Sequence, residues 1–228
     1  KLIQWELKLE QNTSPEMQEI LANQKSEANS EFSKFIANNY QKWFENKNLP
    51  QPVLSHQLMA KKVFPHIKDD LPCIFILLDN LRFDQWKIIE PILTELFDIE
   101  EEDYFYSILP TTTQYSRNSI FAGMMPAEIE SFYPDWWLND NEEGGKNLKE
   151  PDLLIKQIKR NFKREMKVEY MKITNASQGK NLVDSAHNFL QNNLTVIVYN
   201  FIDMLSHART EMEVLKELAG DEKAYRSL

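Results

Sequence analysis

Cys73-Ile74-Phe75-Ile76-Leu77-Leu78-Asp79 is the stretch on which the fold turns. Six apolar residues closed abruptly by a carboxylate read as a strand buried on both faces. The run is far too short to span a bilayer, which takes about 20 residues in a helix. The same texture returns at 104–109, 168–173 and 195–201. Between these runs lie amphipathic stretches at 84–96, 113–122, 152–162, 182–191 and 207–218, each expected to be a helix. Strands alternating with helices imply an α/β fold, a mostly parallel sheet with helices on both faces. Residues 130–150, with Trp136 and Trp137, read as a long loop.

Ahead of residue 69 the chain reads as helices. Ser14-Pro15-Glu16 is a start signal: a hydroxyl N-cap, a proline at the first helical position, an acid in the first turn. Apolar residues from Met17 through Ile20, Leu21, Phe32, Phe35 and Tyr40 to Phe44 then recur at helical spacing. They predict one helix of about 45 Å, ended by Pro50 and Pro52. A short helix over 55–64 is expected to stop at Pro65. The expected organisation is a helical linker bundle over 1–68 and an α/β domain over 69–228.

With 42% hydrophobic and 27% charged residues, the chain is too apolar for disorder. A net charge of −9 argues against a broad footprint for duplex nucleic acid. It leaves room for a small phosphate-bearing ligand, because a bound metal inverts the local charge. The lone Cys73 excludes a disulfide framework, so a reducing, cytoplasmic location is expected, with no membrane partner. The chain does not begin with Met, and residues upstream are expected.

Open parallel sheets bind ligands beyond the carboxyl ends of their strands. Three segments put reactive side chains there. Asp79 follows the first strand directly, as metal ligand, as phospho-acceptor, or as cap of the next helix. A dehalogenase-type acceptor would want a second Asp two residues on, where Leu81 stands, and Gly144-Gly145-Lys146-Asn147 does not complete a P-loop. Thr111-Thr112-Thr113 opens a helix. Its hydroxyls either meet an anionic phosphoryl group at the positive helix end or simply cap the helix. Asp203 and His207, four apart after the last strand, can share a cation, or act as a cap and a surface imidazole.

The order strand-Asp79, then Pro110-Thr111-Thr112-Thr113 with Gly123 ten residues after the last Thr, then strand-Asp203-x-x-x-His207, resembles the alkaline phosphatase superfamily. The segments LLDNLRFDQW, LPTTTQYSRNSIFAG, NEEGGKN and NFIDMLSHAR resemble its PglZ branch, as found in response regulators tied to type IX secretion. The resemblance implies Thr113 as nucleophile and ligand of one zinc ion, Asp79 as a carboxylate ligand of that ion, and Asp203 and His207 as ligands of a second. Further Asp and His ligands are expected later than His207, where this sequence has no histidine; His56, His66 and His187 come too early. The site is therefore expected to be half-built here, and this stretch alone inactive. Arg82, Arg117 and Asn118 are expected either to clamp phosphate oxygens or to make surface contacts.

The implied parent is a two-component response regulator, with an upstream receiver domain, a sensor histidine kinase, a sigma factor among its partners, and a homodimer formed through the helical bundle. Its implied activity is metal-dependent hydrolysis of a phosphodiester, a nucleotide or an oligonucleotide, through a phospho-threonine. A competing class is a non-catalytic signalling module regulating transcription or type IX secretion.

Overall fold

The structure, a computed structural model, describes residues 2–9, 14–46, 50–200 and 203. Its packing divides into two compact units. Among the described residues the first holds 2–51 and 81–100, and the second holds 52–80 and 101–203.

The first unit is helical. Helix α2, Pro15–Glu45, starts where the sequence predicts: the Ser14 hydroxyl accepts the Met17 N–H at 3.4 Å and Pro15 occupies the first turn. It stops at Glu45, ahead of the prolines. Helix α1, Leu2–Leu9, packs on α2 and on α3, Phe83–Leu93, and Lys25 pairs with Glu6 at 2.6 Å. Trp43 is buried against the rings of Phe35 and Tyr40, at 5.9 and 6.0 Å. Met17, Ile20, Phe32 and Phe35 stay well exposed.

The second unit is α/β, built on three parallel strands in the order β1 (Cys73–Leu78), β3 (Leu194–Tyr199), β2 (Val168–Ile173). Register is flush: Leu78, Tyr199 and Ile173 lie side by side, so all three strands end at one edge. Residues Leu194 through Val198 of the central strand are all buried, which is why that run is continuously apolar. On one face Leu194, Val196 and Val198 meet α4 (Thr113–Ala122), α5 (Pro126–Phe132) and α6 (Glu150–Asn161) through Ile120, Phe121, Ile129, Leu153 and Leu154. Met59, Val63, Phe64 and Ile67 pack into that same core, so the segment just ahead of β1 belongs with the sheet. On the other face Ile197 and Ile173 pack with Phe189 and with Leu182 of α7 (Ala176–Ser185). Ile74 and Ile76, on that face of β1, are 45% and 57% exposed.

Three expectations change. The run 104–109 is no strand: Tyr106 makes one bridge to Leu54, its N–H donating to Val53 O at 2.8 Å. The expected helix over 182–191 is α7 followed by a 3₁₀ turn, Ala186–Gln191. The expected helix over 55–64 is a 3₁₀ turn, one π turn over Met59–Val63 and a second 3₁₀ turn carrying Pro65. The expected helix over 207–218 lies outside the described residues.

Candidate active site

The carboxyl edge of the sheet gathers several of the candidate side chains. The ladder runs one residue past β1 and β3. Asp79 N–H donates to Tyr199 O at 3.1 Å, and Asn200 N–H donates to Ile173 O at 2.8 Å. Asp79 and Asn200 therefore end adjacent strands side by side. Asn80 then turns the chain sharply at φ 60°, a left-handed conformation that asparagine tolerates.

Helix α4 meets this edge with its first turn. Thr112 is the N-cap residue, and its hydroxyl makes no cap bond. Its carbonyl accepts from Tyr115 and Ser116, both at 3.0 Å. Thr113 is the first helical residue and half-buried, while Thr111 and Thr112 are exposed. Arg117 lies one turn on, on the same face of the helix as Thr113. It is 3% exposed, and its guanidinium reaches three partners. Nη1 donates to Asp79 Oδ2 at 2.8 Å and to Asn200 Oδ1 at 2.5 Å, and Nη2 donates to Glu150 Oε2 at 2.5 Å. Burial opposes the Arg117 charge, but the Glu150 and Asp79 carboxylates outweigh it and push its pKa up.

A second layer stands behind. Tyr170 and Lys172 project from β2 onto the α4 face of the sheet. The Tyr170 hydroxyl donates to Glu150 Oε2 at 2.6 Å; burial first, and that carboxylate second, push its pKa far up. Lys172 Nζ is 3.9 Å from the same oxygen; burial lowers its pKa, against the pull of Glu150. Asn147, from the 142–147 run, donates to Glu150 Oε1 at 3.0 Å and to Thr113 O at 3.3 Å. Lys146 folds that run on itself, donating to Asn139 O and Glu142 O, and its own carbonyl accepts from Asn118 at 3.0 Å.

Asp79, Thr113 and Arg117 are thus gathered at one edge of the second unit. Arg117 and Asn118 are buried and bonded to protein groups, so neither makes surface contacts. Arg82 belongs to the first unit, where it pairs with Asp84 at 2.7 Å and holds that carboxyl below the usual range. Asp203 is half-buried, and His207 lies outside the described residues. Trp137 is core, against Tyr115 at 5.6 Å, and Trp136 stacks on Tyr133 at 4.8 Å. The sequence reading missed Glu150, Asn200, Tyr170 and Lys172. Tyr170 and Lys172 share one strand face with Val168, which was a legible signal; Glu150 fell at the end of the expected 130–150 loop, and the structure makes it the first residue of α6.

Asp79 and Thr113 offer oxygen donors, which suit a hard or borderline divalent cation. Arg117 occupies Asp79 Oδ2, and Oδ1 accepts no hydrogen bond among the described residues. Those residues bring no three His, Cys, Asp or Glu side chains together.

Two family models match. One, described as the BREX system PglZ alkaline phosphatase-like domain, covers residues 58–228. The other, the PorX response regulator linker domain, covers residues 1–44. No curated protein matches the chain. The first match takes in the parallel sheet, its carboxyl edge and the helix that Thr113 opens, and by it the chain belongs to the PglZ alkaline phosphatase-like family.

Proposed function

We propose that this chain is the output region of a two-component response regulator and hydrolyses phosphodiesters, nucleotides or oligonucleotides among them, through Thr113. The observation that carries the reading is the Arg117 link: a buried guanidinium one helical turn from Thr113 grips the strand-end carboxylate of Asp79. The N–H groups of Thr113 and Gln114, ahead of the bonds that Tyr115 and Ser116 make to Thr112 O, have no partner within the helix and favour a phosphoryl oxygen. Thr113 Oγ attacks phosphorus in line; the Oγ–P bond forms, the ester P–O bond breaks, and the hydroxyl proton passes by way of solvent to the departing oxygen, releasing an alcohol. Water then cleaves the phospho-threonine, giving the phosphomonoester and restoring the hydroxyl. Two zinc ions, held by Asp79 and Thr113 and by Asp203 and His207, would supply charge neutralisation and a lowered hydroxyl pKa. Arg117 keeps Asp79 aimed and stays out of the substrate. The linker and its α2 helix would join an upstream receiver domain, addressed by a sensor histidine kinase, and form a homodimer. A sigma factor and type IX secretion are the downstream targets proposed for it.

The test is cleavage of bis(p-nitrophenyl) phosphate by the zinc-loaded full-length protein. Thr113→Ala is expected to lose about a thousandfold or more in kcat, with Thr112→Ala active. An inactive wild type that binds no zinc would leave the signalling-module reading in its place.

A further inference from the structure

Glu150 has no exposed surface at all. Its oxygens are fully engaged. Oε2 accepts from Arg117 at 2.5 Å and from the Tyr170 hydroxyl at 2.6 Å, with the Lys172 ammonium at 3.9 Å, and Oε1 accepts from Asn147 at 3.0 Å. Two of these partners lead onward. Arg117 donates to Asp79 at 2.8 Å, and the same Asn147 amide donates to the Thr113 carbonyl at 3.3 Å. One buried carboxylate is therefore joined, through a single side chain each way, to both Asp79 and Thr113.

Packing alone does not call for this arrangement. Apolar residues of similar volume hold two helices together as well as a buried ion pair, without its desolvation cost. Glu150 opens α6, Arg117 sits within α4, and Asp79 ends β1. The network thus fixes relations among three elements that share no local sequence. Among the described residues Arg117 Nε has no hydrogen-bond partner, so the orientation of the guanidinium rests on its Nη contacts, and the contact from behind is Glu150. A carboxylate that ligates a cation is ordinarily aimed by hydrogen bonds behind it, and losing such a partner weakens binding or activity about 10- to 100-fold.

We infer that Glu150 is a positioning residue that sets the separation and orientation of Asp79 and Thr113, through Arg117 on one side and Asn147 on the other. The inference rests on the function proposed above, in which Asp79 holds a cation and Thr113 attacks.

The experiment uses full-length protein and reads two quantities. Zinc affinity is measured by competition with a chromophoric chelator, and kcat and KM are measured on bis(p-nitrophenyl) phosphate. Glu150→Gln is expected to weaken zinc about tenfold and to lower kcat about tenfold or more, with KM within about threefold. In an Asp79→Asn background the same change is expected to add less than about twofold to the loss of zinc affinity, because it acts through that carboxylate. Asn147→Ala, which cuts only the Thr113 branch and leaves Arg117 on Asp79, is expected to lower kcat about tenfold and to weaken zinc less than Glu150→Gln does, and it serves if Glu150→Gln does not fold. Wild-type zinc affinity and kcat in both variants, with Thr113→Ala inactive, would overturn the role of Glu150 and leave the proposed function standing. Fully additive losses with Asp79→Asn would also overturn it. A Thr113→Ala protein as active as wild type would sink the function and the Glu150 role together.

Discussion

Arg117 and Asp79 are 38 positions apart in sequence and bonded at 2.8 Å, Nη1 to Oδ2, at the carboxyl edge of the sheet. The bond ties α4 to β1, and the opposite side of the same guanidinium ties α4 to α6 through Glu150.

Arg117→Ala should therefore destabilise the second unit by about 3–5 kcal/mol, since it leaves the buried Glu150 carboxylate without its main counter-charge. Arg117→Lys should recover only part of this, because one ammonium cannot bridge Asp79, Asn200 and Glu150 as the planar fork does. Urea denaturation checks both. Full recovery by lysine would show that charge alone, and not the fork, matters.

Gly123 closes α4 at φ 63°. A Cβ there would clash with the end of the Gln157 side-chain amide and lie under 3 Å from two more atoms of that side chain. Gln157 is itself buried, and with its amide oxygen and nitrogen exchanged the nitrogen donates to the carbonyls of Phe121 and Ile120 at 3.0 and 3.2 Å. Gly123→Ala should cost about 1–2 kcal/mol for the left-handed backbone and a further 1–3 for overpacking. Gly123→Asn separates the two: asparagine tolerates the dihedral but still meets Gln157. An Asn variant with wild-type melting temperature would mean that only the dihedral counts.

His56 is lowered below its ordinary pKa of 6.5, chiefly by burial, against the pull of Glu128 and with the help of Lys61. The folded state then binds fewer protons than the unfolded chain, so the sign is fixed. Stability is whole above pH 6.5 and is lost as pH falls from 6.5 through the folded-state value. The drop in melting temperature between pH 7.5 and pH 5.5 should be smaller in His56→Gln than in wild type. An equal drop would remove His56 from the acid response.

Met17, Ile20, Phe32 and Phe35 lie within an arc of about 120° on α2 at 3.6 residues per turn, and all four are exposed. This stripe is where the proposed homodimer would form. Sedimentation of full-length Ile20→Lys/Phe32→Glu should give a monomer where wild type gives a dimer. A dimer in both would move the interface elsewhere.

Strands β1 and β2 and helix α4 were legible to the residue, because apolar runs, Ser/Thr caps and a closing glycine are local signals. The run 104–109 misled for the opposite reason. Its β-forming residues need a partner strand, and among the described residues they meet the irregular segment 53–55 through one bridge and one side-chain bond instead. Asp79 and Thr113 stood out because each follows or opens a regular element. Glu150 did not: an acid beside a proline at a helix start is common, and only the tertiary packing of Arg117, Tyr170 and Asn147 around it reveals a buried hub.

The order β1-β3-β2 has a kinetic consequence. The central strand is the last of the three in sequence, and Cys73 pairs with Leu194, 121 residues later. Until synthesis passes Tyr199, neither β1 nor β2 has a sheet partner among the described residues. At a synthesis rate of about 5–20 residues per second, the apolar run of β1 waits about 6–24 s for its neighbour. Long-range parallel pairing is also intrinsically slow once both strands exist. The nascent chain thus carries Ile74-Phe75-Ile76-Leu77-Leu78 unpaired for that interval, in which a holdase chaperone would find it.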